Sequence, residues 1–261
     1  MQIEVIDLRE LAVDTEALIL PLCEEEEITV YKDINDSLGG LIEGILKKRE
    51  FEGKEDQTYL IHTQGRIGPE RIILTGLGKR GDLNKEKIRR AGGRSFSLLK
   101  NLKINNAALS MRYLNSVGLS PNPFLEGGLL SLYRFQRYKK EEEGKLDRFV
   151  ILSRPTQDLD DSVIWTERVV EAVNFVKDLV NTPANDMTPS ELARIALNLS
   201  GERVSVTVLE REDAEKEGMG AYLAVAKGSS EPPKFIILNY KGSDDRPTVI
   251  IGKSITFDSG G

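Results

Sequence analysis

Cysteine and histidine are nearly absent from the chain, with Cys23 and His62 the only ones among 261 residues. One cysteine makes an intrachain disulfide impossible, and one histidine beside it makes a Cys/His zinc cluster arithmetically impossible. Any metal would therefore have to be held mainly by oxygen. No apolar run approaches the roughly 20 residues needed to cross a bilayer. The opening MQIEVIDLRE carries acidic residues where a secretory signal would carry a basic and then an apolar region. A cytoplasmic protein without a membrane partner is expected. Internal repeats and low-complexity tracts are also missing, and 39% hydrophobic with 30% charged residues exclude disorder, collagen and coiled coil. The formal charge of -6, from 42 acidic and 36 basic side chains, argues against a surface that coats nucleic acid. Small molecules or peptides are the expected ligands.

What is present reads as alternating strands and helices. IEVI near residue 3, ALILPL from Ala17, YLIH from Tyr59, RIILTG from Arg71, AALSM from Ala107 and RFVILS from Arg148 have the apolar, β-branched character of strands. Ile34, Leu38, Leu41, Ile42, Ile45 and Leu46 fall on one face of a helix, Ile88 to Leu102 repeats the pattern, and a third helix is expected from Phe124 to about Tyr138. Strands interleaved with helices imply a largely parallel or mixed sheet, so residues 1–157 read as one α/β domain ending near SRPTQDLDD. A long amphipathic helix from Ser162 follows and stops before Pro183. Thr188, Pro189 and Glu191 then announce a further helix as cap, first-turn proline and capping-box acid, with Gly201 as its stop. VSVTVLE, KFIILNY and TVIIGK read as strands of a second α/β unit.

Several motifs have two readings. GLGKRG (Gly76–Gly81) fits the glycine pattern of a dinucleotide-binding turn and follows a strand. The following strand, however, leads to Arg112 where that site needs an acid. An ordinary strand-to-helix turn is the simpler reading. GKS (Gly252–Ser254) resembles the tail of a phosphate loop, but Pro247 stands where its first glycine belongs. His62 has no second histidine to share a ligand, Cys23 reads as a passive buried thiol, and Glu24–Glu27 reads as a solvated loop or edge. The informative stretch is IIGKSITFDSGG: a buried strand would deliver Lys253, and five residues later Asp258, to its carboxyl end. Those two residues are either part of a metal site or a solvated lysine and a turn-capping aspartate.

At GKSITFDSGG the chain resembles the leucyl aminopeptidases, also called cytosol aminopeptidases. DLVNTPANDMTPSELA (Asp178–Ala193) is similar to that family's linker and first catalytic-domain helix. EGMGAYLAVAKGSSEPPKFIILNY (Glu217–Tyr240) resembles its next block, and GLGK and YRFQRYK, from Tyr133, look right in the first half. Ser254 departs from the glycine usual in the family. The resemblance implies an N-terminal mixed-sheet α/β domain (1–157), a linker helix (158–182) and the beginning of an α/β aminopeptidase catalytic domain (183–261). It implies a metal-dependent aminopeptidase that releases N-terminal residues from peptides, a metal-activated water attacking at a dinuclear site of two divalent ions, Mn or Zn. Lys253, through a neutral amine, and Asp258, through its carboxylate, would be metal ligands, and full-length family members assemble as homo-hexamers. The family's catalytic lysine and arginine and its remaining carboxylates would lie beyond Gly261. The chain is therefore expected to be a fragment, inactive alone, and the competing reading is a non-catalytic scaffold that keeps the fold.

Overall fold

Six apolar runs before residue 153 form strands at the places the sequence indicates: β1 (Gln2–Ile6), β2 (Ala17–Leu22), β3 (Thr58–His62), β4 (Arg71–Gly76), β5 (Asn106–Ser110) and β6 (Arg148–Leu152). They make one sheet in the order β1-β6-β5-β2-β4-β3, with β3 antiparallel to β4 and every other pairing parallel. All six residues of β2 are buried. Successive strand residues point to opposite faces, so the sheet is covered on both faces at its centre, which is why its strands read as continuous apolar runs. A computed structural model describes residues 1–7, 9–26, 28–139 and 146–256. It divides into two compact units, Met1–Phe175 and Val176–Gly261.

The helices of the first unit differ from the sequence reading in several places. The expected helix over residues 34–46 is two helices, α1 (Lys32–Ser37) and α2 (Leu41–Lys47), separated by Gly39 and Gly40 at φ +68° and +80°. Glycine is the residue that adopts this left-handed backbone without steric cost, so the chain reverses there although the apolar spacing runs on. Helix α3 (Lys85–Asn101) starts three residues before Ile88, with the Asn84 side chain accepting from the Lys87 amide at 3.0 Å. After α4 (Arg112–Ser116), α5 (Asn122–Ser131) ends seven residues short of Tyr138. Its buried residues include Phe124, Leu125 and Leu129, Leu132 packs partly buried at its end, and the position two turns beyond Leu129 is Gln136.

Glycines set how closely α3 and α5 approach. A β-carbon on Gly92 would lie 1.9 Å from the carbonyl oxygen of Phe124, and one on Gly127 would lie 1.8 Å from that of Arg89. Each helix therefore presses a bare backbone position onto the other's main chain. Phe96 packs beside this crossing, 6.5 Å from Phe124 and 4.5 Å from Phe149 between ring centres. Helix α6 (Gln157–Asn181) begins five residues before Ser162, with Asp158 and Asp160 in its first turn where the helix dipole favours carboxylates.

In the second unit, α7 (Pro189–Leu197) has the cap the sequence announces: the Thr188 hydroxyl accepts from the Glu191 amide at 3.2 Å. The helix ends before Gly201, which instead bridges to Val204 at the start of β7 (Val204–Leu209). Helices α8 (Arg211–Lys216) and α9 (Gly220–Ala226) follow, and β8 (Phe235–Tyr240) returns antiparallel to β7 with Val204 opposite Tyr240. The expected buried strand TVIIGK is corrected here. Residues 248–253 have no regular structure, and Val249, Ile250 and Ile251 are 75%, 91% and 91% exposed. An apolar run becomes a buried strand only beside a neighbour, and among the described residues none pairs with it.

Candidate functional site

Lys253 lies on this irregular stretch with its side chain in solvent, and Asp258 lies outside the described residues. Lys253 is therefore accessible to a ligand, and among the described residues no acidic partner is seen for it. The motif blocks that precede it are ordered. The Thr182 hydroxyl donates to the Asp178 carbonyl at 2.7 Å, and the amides of Asp186 and Met187 both donate to the Pro183 carbonyl, closing the turn between α6 and α7. Arg194 holds Glu191 on the first turns of α7 at 2.7 Å. In the Glu217–Tyr240 block, Tyr222 of α9 meets Phe235 edge-on at 5.9 Å, and Lys234 pairs with Glu210.

The first unit has its own crevice at the carboxyl ends of β2 and β5, where the strand order reverses and where open α/β sheets place ligands. In this chain the crevice is filled by its own loops. The Gly76, Leu77 and Gly78 amides, the donors a phosphate would need, are spent on the carbonyls of Gln57, Leu22 and Gly53 at 2.8, 3.0 and 2.9 Å. The glycines of GLGKRG serve this contact. A β-carbon on Gly76 would fall 2.0 Å from the Lys54 carbonyl oxygen, and one on Gly78, at φ +79°, would meet the Glu55 side chain. The stretch is a turn closed on backbone, as its simpler reading holds, and it offers no open nest of amides.

Glu10, Asp33 and Arg112 converge on the same crevice, and the sequence reading named only Arg112, as the residue standing where a dinucleotide site needs an acid. Glu10 is 4% exposed, takes a hydrogen bond from the Ser110 hydroxyl at 2.7 Å and pairs with Arg112. Arg112 also forks onto Asp33, at 2.6 and 3.0 Å. The two carboxylates raise the Arg112 guanidinium above its ordinary value, and the bond from Arg112 is the main cause of a lowered Asp33 pKa. Tyr31, fully buried beside them, donates to the Pro21 carbonyl at 3.1 Å. No sequence motif marks this cluster, because its members come from positions 10, 33, 110 and 112.

Cys23 is 1% exposed at the exit of β2, and burial is the largest cause pushing its thiol pKa up. It is thus a poor nucleophile, as its sequence reading expects. Glu26, read as part of a solvated acidic run, accepts from the Tyr113 hydroxyl at 3.0 Å and faces Arg80 at 3.4 Å, so it joins loops together. His62 ends the edge strand β3 and is exposed.

Among the described residues no three His, Cys, Asp or Glu side chains converge as a metal site. A lysine amine and an aspartate carboxylate are chemically suitable donors, but Lys253 alone is placed and a pair of divalent ions needs several ligands. The described residues do not by themselves hold such a pair.

Residues 19–142 match the model of the cytosol aminopeptidase family, N-terminal domain, and residues 174–261 match that of its catalytic domain. Over its full length the chain is 35% identical to a protein of Geobacter sp. (strain M21) named "Probable cytosol aminopeptidase", covering 55% of that relative. A protein of the same name from Geotalea uraniireducens (strain Rf4) is 38% identical over 88% of this chain and 49% of the relative. The chain spans about half the length of the curated relatives it matches. Among solved structures, a tomato leucine aminopeptidase mutant superposes with a TM-score of 0.83 at 24% identity, over 99% of this chain and 55% of the other. The bottromycin maturation enzyme BotP in complex with Mn gives 0.67 at 20% identity, over 86% and 45%. These structural likenesses concern the fold, whereas the two domain descriptions of a single family fall on the chain one after the other; the chain belongs to the cytosol aminopeptidase family.

Proposed function

We propose that this chain carries the first part of a metal-dependent aminopeptidase that releases N-terminal residues from peptides with a free amino terminus. The observation that carries the reading is the order of its blocks: DLVNTPANDMTPSELA, then Glu217–Tyr240, then GKSITFDSGG, inside a stretch that matches the family's catalytic domain. In this reading Lys253 and Asp258 are two of the donors to a pair of divalent cations, Mn or Zn. The remaining ligands and the catalytic lysine and arginine come from sequence that the longer relatives have. Such ions act as Lewis acids that polarise a carbonyl and acidify water.

What the chain's own residues contribute is donor chemistry and placement. The Lys253 amine can coordinate only after losing its proton, which a nearby cation favours and an acidic neighbour opposes. The capped helix α7 and the Pro183 turn give the stretch before it a rigid origin. The same reading includes a cytoplasmic location and a homo-hexameric assembly. It agrees with the finding that no helix among the described residues is long and apolar enough to cross a membrane.

The test uses the protein expressed from the complete coding sequence, assayed with an aminoacyl chromogenic amide with and without chelator. Release of the chromophore should stop with chelator and return with Mn or Zn. Asp258→Ala and Lys253→Ala should each lower kcat/KM at least a hundredfold. Release indifferent to chelator, or none from a folded, metal-loaded protein, would overturn the proposal in favour of a non-catalytic scaffold.

A further inference from the structure

We draw no further inference here: the strongest candidate, the exposed apolar face of α6 formed by Ile164, Trp165 and Phe175, carries nothing because nothing in the structure shows what covers it.

Discussion

Arg112 and Glu10, 102 positions apart in the chain, form an ion pair at 2.5 Å in which the carboxylate is almost wholly shut off from solvent. The second Glu10 oxygen is satisfied by Ser110, so both lone-pair groups of a buried charge depend on the β5 exit. Removing one partner of such a pair strands the other. Arg112→Ala should destabilise the folded chain by about 3 kcal/mol. Replacing both, as Glu10→Leu with Arg112→Met, should cost much less than the single change. Urea midpoints of the three variants measure this, and a single substitution no worse than the double would contradict it.

Asp33, on the other side of Arg112, carries a pH prediction. The hydrogen bond from Arg112 holds its carboxyl below the usual carboxylate range, against a smaller upward push from burial. A depressed folded-state pKa contributes stability above the unfolded value, about 3.9, and loses it as pH falls through the lower folded value. The side chain is 44% exposed, so the gain is about 1 kcal/mol at most. Asp33→Asn should be slightly less stable than wild type at pH 6.5, with the gap closing toward pH 2.5. A gap of constant size in urea melts across that range would remove the ion pair from the account.

Glycines in helices should respond in opposite directions. Gly92→Ala and Gly127→Ala would each drive a methyl group into a backbone carbonyl of the facing helix, a neighbour that cannot swing aside. Each should destabilise by at least about 2 kcal/mol, in the manner of core overpacking. Gly44→Ala meets open space within α2 and should stabilise by about 0.5–1 kcal/mol through helix propensity alone. Thermal denaturation of the three variants gives the signs directly.

Cys23 should be chemically silent in the native state. Burial raises its thiol pKa and closes its access, so a thiol reagent at pH 8 should label it at least a hundredfold more slowly than in denaturant. Labelling at the denatured rate would show that the β2 exit opens readily.

Much of the first unit is legible in its residues. The runs ALILPL, RIILTG and RFVILS are strands because each is too uniformly apolar to sit anywhere but under two covered faces. Thr188-Pro189 with Glu191 starts a helix because the Thr188 hydroxyl accepts from the Glu191 amide while Pro189, having no amide hydrogen, leaves one unpaired donor fewer in the first turn. Gly39-Gly40 shows the limit: apolar spacing continued through the pair, while two left-handed residues turned the chain. Lys253 and Asp258 are legible only as part of a family-like segment, since a lysine and an aspartate five residues apart fit a metal site and a solvated turn equally well.

The sequence by itself determined the local matters: element type where propensity, caps and pattern agree, the exclusion of an intrachain disulfide and of a Cys/His zinc cluster, and the order of the family's blocks. Tertiary structure alone decided three others. It spent the GLGKRG amides on backbone carbonyls, brought Glu10, Asp33 and Arg112 into one ion cluster, and left Val249–Ile251 in solvent where apolarity alone indicated a buried strand. The reason is common to all three. Hydrogen bonds, ion pairs and burial are relations between surfaces, and a residue's side chain states only its capacity for them, while the partner that uses that capacity is supplied by the path of the rest of the chain.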